Sequence, residues 1–363
     1  MHNKTLGIAA AVALSLSASA MAEQKVVNFY NWSDYMDPAL IPQFEQETGI
    51  KVNLDYYDSN EVLEAKLMTG GSGYDVVVPT GSFLERQAQA GVYMEIDRSK
   101  LSNVGNIDQV LAGKISGHDP DNRHNVPYAW GTIGLGYNEA MIKERLGDMP
   151  ANSLDLIFKP EVAAKLADCG IALLDSPAEM MSIALNYLGL DPNSEKKSDL
   201  KKATALMVEA RSNYRYFNSS KYISDLANGE ICLAVGYNGD VLQAASRAEE
   251  AGQGIVVKYA IPKEGTVAWF DLLAIPADAP HPEEAHQLID FLLRAESGAG
   301  IANYVFYAVA NSAAEPLLLD EVKNDPGIYP SEEVKANLFT QNAHTSKYDR
   351  ILTRAWTNIK TGR

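Results

Sequence analysis

From residue 26 to residue 90 the chain alternates strand-like and helix-like stretches, and that alternation limits the folds open to it. Residues 26–30 read as a buried strand. Asp37-Pro38 supplies an N-cap and a proline at the first helical position, and the helix runs through Phe44 to a stop at Gly49. Residues 51–57 alternate as a second strand, and 59–69 are helical, ending at Gly70-Gly71. Residues 74–79 (YDVVVP) form a third strand, followed by a helix over 82–90. A β-α-β-α-β series predicts a parallel sheet covered by helices on both faces. Such sheets bind ligands beyond the carboxyl ends of their strands, where Trp32, Ser33, Asp34 and Thr80 fall.

Residues 126–138 (VPYAWGTIGLGYN) are a long extended run with no helical pattern, read here as a segment crossing between domains. A second α/β region follows, with helices at 160–168, 177–188, 200–211 and 240–251 and a strand at 231–236. A second extended run, 266–275, crosses back, and 282–295 is an amphipathic helix. The tail from Pro330 is predicted helical and ends in a basic stretch over 350–363. A length of 363 residues suffices for about two domains.

The N-terminus reads as an export leader: a basic start through Lys4, a short apolar stretch over 6–18, and an A-x-A-like site that predicts cleavage after Ala22. The apolar stretch is too short to span a bilayer, and no cysteine follows the site to carry a lipid. Net charge is −16, and the leader holds one of the basic residues, so its removal leaves a still more acidic protein. That charge argues against nucleic acid and against anionic membrane surfaces, and it suits a cationic ligand. Solubility alone is the plainer reading of the same number. Cys169 and Cys232, not in a C-x-x-C arrangement, read either as one disulfide of an oxidising compartment or as two buried thiols.

Signatures of catalysis, metals and cofactors are weak. His2, His118, His124, His281, His286 and His344 form no H-x-H, H-E-x-x-H or zinc-spaced cluster, and His281 and His286, flanking a helix start, are expected at the surface. The 131–136 glycine run opens no helix, so it is not a dinucleotide fingerprint. Residues 118–124 (HDPDNRH) lack the glycine and distal glutamate of a calcium loop and read as a turn. Tyr56-Tyr57 lies in an alternating strand, which assigns one ring to the core and one to the surface rather than both to iron. We expect no metal, no cofactor and no enzymatic activity.

Three aromatic–aspartate pairs stand at the edges of strand-like runs: Trp32 with Asp34, Tyr237 with Asp240, and Trp269 with Asp271. An organic cation is attracted by both a ring face and a carboxylate. Acids of this kind also have structural readings. Asp240-x-x-Gln243 fits a capping box, as does Ser176-Pro177-Ala178-Glu179. Trp269 and Asp271 resist that treatment, because a carboxylate inside an apolar strand is costly to bury without a donor.

NFYNWSDY (28–35), YDSNEVLEAKL (57–67), YDVVVPTGSFLERQ (74–87), IPKEG (261–265) and WFDLLAIPADA (269–279), with VFYAVAN (305–311) and the TRAW…GR ending, resemble the periplasmic spermidine/putrescine-binding proteins of ABC importers. The resemblance covers essentially the whole chain after the leader. It implies a type II periplasmic binding fold, α/β, with two lobes joined by two extended crossover segments: 23–128 with 268–303, and 129–267 with 304–363. It implies a monomeric periplasmic receptor serving an inner-membrane ABC permease, with no nucleic-acid partner.

The same resemblance implies the site. Trp32 and Tyr237 would wall a channel; Ser33, Asp34 and Thr80 would meet an amine from the first lobe; Glu179 and Asp240 would contribute from the second. Trp269 and Asp271 would sit where the lobes meet, and Tyr307 would complete an aromatic box. It also implies a Cys169–Cys232 disulfide. The chain departs from the family pattern at Tyr237, where tryptophan is usual. Ser82 resembles the putrescine branch, as does the sequence at large. Trp269 and Gln341 resemble spermidine receptors, whose putrescine-preferring relatives carry phenylalanine and leucine there. An indole offers a stronger cation–π face than a phenyl ring, and Gln341 supplies a polar partner for a further amine, so spermidine is expected to bind more tightly than putrescine. The alternatives are a putrescine, cadaverine or agmatine receptor, a polyamine sensor for a membrane partner, and an exported hydrolase using Asp34 and Asp240 as an acid pair.

Overall fold

The first lobe grows from a small parallel sheet. The computed structural model describes residues 24–33, 35–57 and 60–363, so the leader with its cleavage site, and Asp34, lie outside the described residues. Strand β1 (Val26–Trp32) pairs along its full length with β2 (Lys51–Tyr57), from Val26 opposite Lys51 to Trp32 opposite Tyr57. Its other edge takes β3 (Val76–Val77). Helices α1 (Leu40–Thr48) and α2 (Asn60–Met68) make the crossovers, and α3 (Gly81–Gln89) follows β3. Val27, Phe29, Val76 and Val77 are fully buried, as a parallel sheet covered on both faces requires.

Two local readings need correction here. Helix α1 starts at Leu40, not at Pro38, because Asp37 heads a separate turn: its carboxylate accepts from the Ala39 N–H (2.9 Å) and its carbonyl from the Leu40 N–H (3.1 Å). The expected strand 74–79 pairs as a strand over two residues only. Asp75 instead accepts the backbone N–H groups of Asn28 (2.7 Å) and His281 (2.6 Å), and the Val78 carbonyl is taken by the side chains of Trp32 and Tyr57.

The long run is one strand, β4 (Val126–Asn138), and it serves both lobes. The remaining strands are β5 (Ile171–Leu173), β6 (Tyr214–Phe217), β7 (Leu233–Tyr237), β8 (Val257–Ala260), β9 (Ala268–Leu273) and β10 (Ala308–Val309). The first half of β4 pairs antiparallel with β9 and β10, and its second half with β7 and β8. Strand β5 joins β7 and β6 joins β5, both parallel. Bridges from Val77 to Ala274 and from Thr80 to Asp271 weld β9 to the edge of the first sheet.

The described residues form two hydrophobic cores, and these divide the chain where the crossing segments pass. On β4 the change falls between Trp130 and Ile133; on the return it falls between Val267 and Ala268. A third, unforeseen crossing occurs at Leu338–Phe339. Leu338 lies in the first core, while Phe339 runs beside Val267, donates to the Thr266 carbonyl (3.1 Å) and accepts from the Ala268 N–H (2.8 Å). The expected second-lobe segment 304–363 is therefore split. Ala308, Ala310, Ala314, Val322 and Ile328 all pack in the first core, because β10 pairs with the first half of β4. Tyr348, Leu352, Trp356 and Ile359 of the helix Ser346–Thr361 pack in the second. By the core they join, we draw the first lobe as the described residues of 24–130 with 268–338, and the second as 133–267 with 339–363.

The expected helix 282–295 is in fact Pro282–Leu292, and a separate helix, Ala295–Val305, follows it. His286, expected at the surface, is buried: its Nε2 accepts from the Asp97 N–H (3.0 Å) and its Nδ1 donates to the Pro282 carbonyl (2.6 Å). Tyr57 is buried and Tyr56 exposed, as strand alternation requires. The disulfide joins Cys169 to Cys232, just ahead of β5 and β7, with Cα atoms 5.4 Å apart. Among the described residues no helix is long and apolar enough to cross a membrane.

Candidate functional site

The carboxyl ends of β1, β3 and β7 point toward β9, and three acids gather there. Asp271 lies on β9 at 6% exposure, and each of its oxygens accepts from a hydroxyl, Thr80 Oγ1 at 2.6 Å and Tyr35 at 2.8 Å. The Thr80 hydroxyl itself accepts from Asn60 Nδ2 (2.9 Å), which leaves its proton for Asp271. Across the cleft, Glu179 accepts from the Tyr237 hydroxyl (2.8 Å). Asp240 accepts from the hydroxyls of Tyr222 (2.7 Å) and Tyr307 (3.2 Å).

Neither capping box forms. The helix carrying Asp240 spans Asn238–Ala251 with Tyr237 at its N-cap, so Asp240 is already inside the first turn. Ser176 stands at the N-cap of the helix Pro177–Tyr187 without a side-chain bond to the helix backbone; the Glu179 carboxylate takes the hydroxyls of Ser176 and Tyr237 instead.

Aromatic rings wall the same space. Trp269 meets Tyr307 edge-on with centroids 5.0 Å apart and Tyr237 at 6.5 Å, and Tyr307 meets Tyr35 at 5.6 Å. Trp32 packs against Tyr57 (4.6 Å) and is anchored through Nε1 on the Val78 carbonyl (2.9 Å). Glycine lets Trp269 in. Gly131 stands opposite it on β4, where a Cβ would come within 2.3 Å of Asn238 Oδ1 and 2.4 Å of the indole. Gly131→Ala is expected to cost about 1–3 kcal/mol by overpacking. An unchanged urea midpoint would mean the indole has slack to move.

The other predicted residues take less central positions. Ser33 is exposed in the turn after β1, and Ser82 is half-buried in the first turn of α3. Gln341 lies in the non-helical stretch between the helices Glu332–Ala336 and Ser346–Thr361, although a helical tail was expected. Its Nε2 donates to Ser182 Oγ (3.3 Å), one turn beyond Glu179 on the same helix. Sequence reasoning missed Tyr35, Tyr222 and Ser182. The available signal was an excess of tyrosine, 18 against 9 phenylalanines, since buried phenols need acceptors.

Burial raises all three carboxyl pKa values. Asp271 is pushed up to about 6, by burial first, with the Thr80 and Tyr35 hydroxyls pulling back and the charge of Glu179 pushing further. Burial also raises Glu179, against the hydroxyls of Ser176 and Tyr237, and Asp240, against those of Tyr222 and Tyr307. Among the described residues no lysine or arginine lies within ion-pair distance of any of the three, though the more distant Arg247 weakly favours the charged form of Asp240. The phenols of Tyr35, Tyr222, Tyr237 and Tyr307 are raised well above their ordinary value, chiefly by burial, so they remain donors. The lobes touch around this cluster: Tyr307 reaches Asp240, Asn238 Nδ2 donates to the Gly327 carbonyl (3.2 Å), and the Ala343 N–H donates to Glu85 (3.2 Å).

Residues 39–330 match the family profile described as bacterial extracellular solute-binding protein. The chain is 51% identical, over 98% of its length and 97% of the relative's, to a putrescine-binding periplasmic protein of Escherichia coli. It is likewise 51% identical, over 99% of its length and 98% of the relative's, to a putrescine-binding periplasmic protein of Pseudomonas aeruginosa. The solved spermidine/putrescine ABC transporter substrate-binding protein of Streptococcus pneumoniae aligns with a TM-score of 0.83 at 27% identity, covering 93% of this chain and 99% of that one.

Proposed function

The chain belongs to the bacterial extracellular solute-binding proteins, and from that premise we propose that it is a periplasmic polyamine receptor whose principal ligand is putrescine. One observation carries the reading: three buried or half-buried acids, Asp271, Glu179 and Asp240, held by hydroxyl donors and faced by Trp269, Tyr237 and Tyr307, without a basic side chain in ion-pair distance among the described residues. Buried charge of one sign calls for a ligand of the other. A slim diammonium chain meets carboxylates with its ends and rings with its methylenes. Trp32, Ser33, Asp34, Thr80 and Ser82 are the further first-lobe contacts of this proposal.

The expected spermidine preference gives way to putrescine, since the two relatives at 51% identity are both putrescine-binding. Trp269 and Gln341 make spermidine the second ligand. Calorimetry with putrescine, spermidine, cadaverine and agmatine is the test. Putrescine is expected to bind most tightly; tighter spermidine binding overturns the ranking, and no heat from any of them sinks the receptor reading.

The acids belong to both lobes, so only a closed, liganded state neutralises all of them, and ligand shifts the population toward closure. The closed monomer then offers both lobe surfaces to an ABC-type permease. Export through the leader ending at Ala22 belongs to the same proposal. As a solute-binding protein it carries its ligand unchanged.

Binding is expected to weaken in acid. An alkylammonium stays protonated, with a pKa of about 10. Asp271 takes up a proton near its raised value of about 6. The dissociation constant is therefore expected to be flat above that value and to rise by about tenfold per pH unit below it, one proton being exchanged per ligand. Calorimetry across the range checks this; constant affinity down to about pH 5 would exclude an ionised Asp271 as the ligand's partner.

A further inference from the structure

The basic tail at 350–363 takes no part in the cleft, and the structure gives it a neighbour. The helix Ser346–Thr361 packs beside the helix Lys197–Ala210, which in turn packs on the helix that carries Glu179. Between the first two runs a groove of about 420 Å³ opens on the outer face of the second lobe. Leu200, Val208 and Ile351 contribute to an apolar floor, while Lys197, Lys201, Arg354 and Arg363 stand along its sides. No acidic residue among those described lines it.

The concentration of positive charge is unusual in a chain of net charge −16. Two acids on the same helices are engaged elsewhere: Asp199 accepts from Ser194 Oγ (2.7 Å) and sits near Lys202 (3.9 Å), and Asp349 faces His344 (3.6 Å). The four groove cations form no ion pair among the described residues, whereas Lys360 on the same C-terminal helix is paired with Asp175.

We propose that this groove docks an acidic, amphipathic segment of a protein partner. Lys197 and Lys201 stand one helical turn apart, about 6 Å along the axis, which suits carboxylates at i and i+4 of a partner helix. The apolar floor takes the leucine-like side chains between them, the usual division of labour for a helix lying in a groove. A bilayer fits less well. Its headgroup plane cannot fill a concave groove, and the strongly acidic remainder of the protein is repelled by anionic lipid. Charge on both banks speeds encounter, and the apolar floor holds the segment once docked.

The test uses a fluorescein-labelled helical peptide of glutamate, leucine and alanine, with glutamates at i and i+4 on one side and leucine between them. Fluorescence anisotropy at low ionic strength is read against the mature protein, the charge-reversed variant K197E/K201E/R354E and the milder K201Q/R354Q. Binding is expected to weaken by at least about tenfold in the reversed variant and by less in the milder one, and replacing the peptide's leucines with alanine is expected to weaken it too. Polyamine affinity measured by calorimetry stays unchanged in both variants, which also certifies their fold. The proposal is overturned if the peptide fails to bind, if both variants bind it like the parent, or if leucine makes no difference. It is also overturned if the parent instead co-sediments with vesicles of equal parts phosphatidylglycerol and phosphatidylethanolamine in a way the reversal abolishes.

Discussion

Asp271→Asn is expected to abolish most ligand affinity while leaving the ligand-free protein as stable as before, or more so. The two effects share one cause. Asp271 is buried and held by two hydroxyl donors, and among the described residues no basic side chain reaches it. Its carboxyl pKa is raised from 3.8 to about 6. A carboxyl whose folded pKa exceeds its unfolded one binds protons more readily in the folded state, so the folded state loses stability as pH rises through that window. Two pKa units correspond to on the order of 3 kcal/mol. The ligand-free protein pays that at neutral pH, and a ligand ammonium recovers it.

Asparagine removes the charge and keeps the shape. Its carbonyl still accepts from Thr80, whose proton is directed there by Asn60, and the Tyr35 phenol can turn to accept from the amide. Breaking a buried charge pair costs about 3–5 kcal/mol, so affinity is expected to fall by about two to four decades. The stability of the ligand-free variant should also lose much of its fall with rising pH. Calorimetry and thermal melts read the two effects separately. An affinity within about threefold of the parent would remove Asp271 from the binding site.

The parts of this arrangement legible in the sequence are those that local chemistry dictates. The 13-residue run of β4 showed its apolar, glycine-spaced character directly, and Trp269 with Asp271 announced itself as a carboxylate where a strand should be apolar. The hydroxyls that hold the acids were not legible. Tyr35 reaches Asp271 across 236 residues of chain, and nothing local distinguishes it from a core tyrosine. Tyr222 was hidden differently: it lies in a short helix, Lys221–Ala227, and points at Asp240, whose sequence context imitated a helix cap. The third crossing failed to appear for a related reason. Leu338 and Phe339 are both apolar, and only the pairing of Phe339 beside Val267 shows that the chain changes lobe between them. Long-range partners, not local propensity, decided each of these cases.

Trp269→Ala carries the second large effect, and it should be separable from simple loss of fold. The indole is half-buried, shares its space with Tyr307 and Tyr237, and rests on the bare backbone of Gly131. Truncating a buried tryptophan costs about 3–5 kcal/mol of stability, and half burial places this one near the lower end. The ligand loses a cation–π face worth about 0.5–2 kcal/mol and the wall that keeps water from its methylenes. Affinity is therefore expected to fall by about two decades. Trp269→Phe is the decisive companion. The indole Nε1 has no hydrogen-bond partner among the described residues, so phenylalanine leaves no acceptor orphaned and retains an aromatic wall. Its loss of affinity should stay within about tenfold. Because the smaller ring narrows the face available to a further amine, that loss should be greater for spermidine than for putrescine. If alanine and phenylalanine weaken binding equally, the ring acts through packing alone, and the aromatic wall is not what recognises the cation.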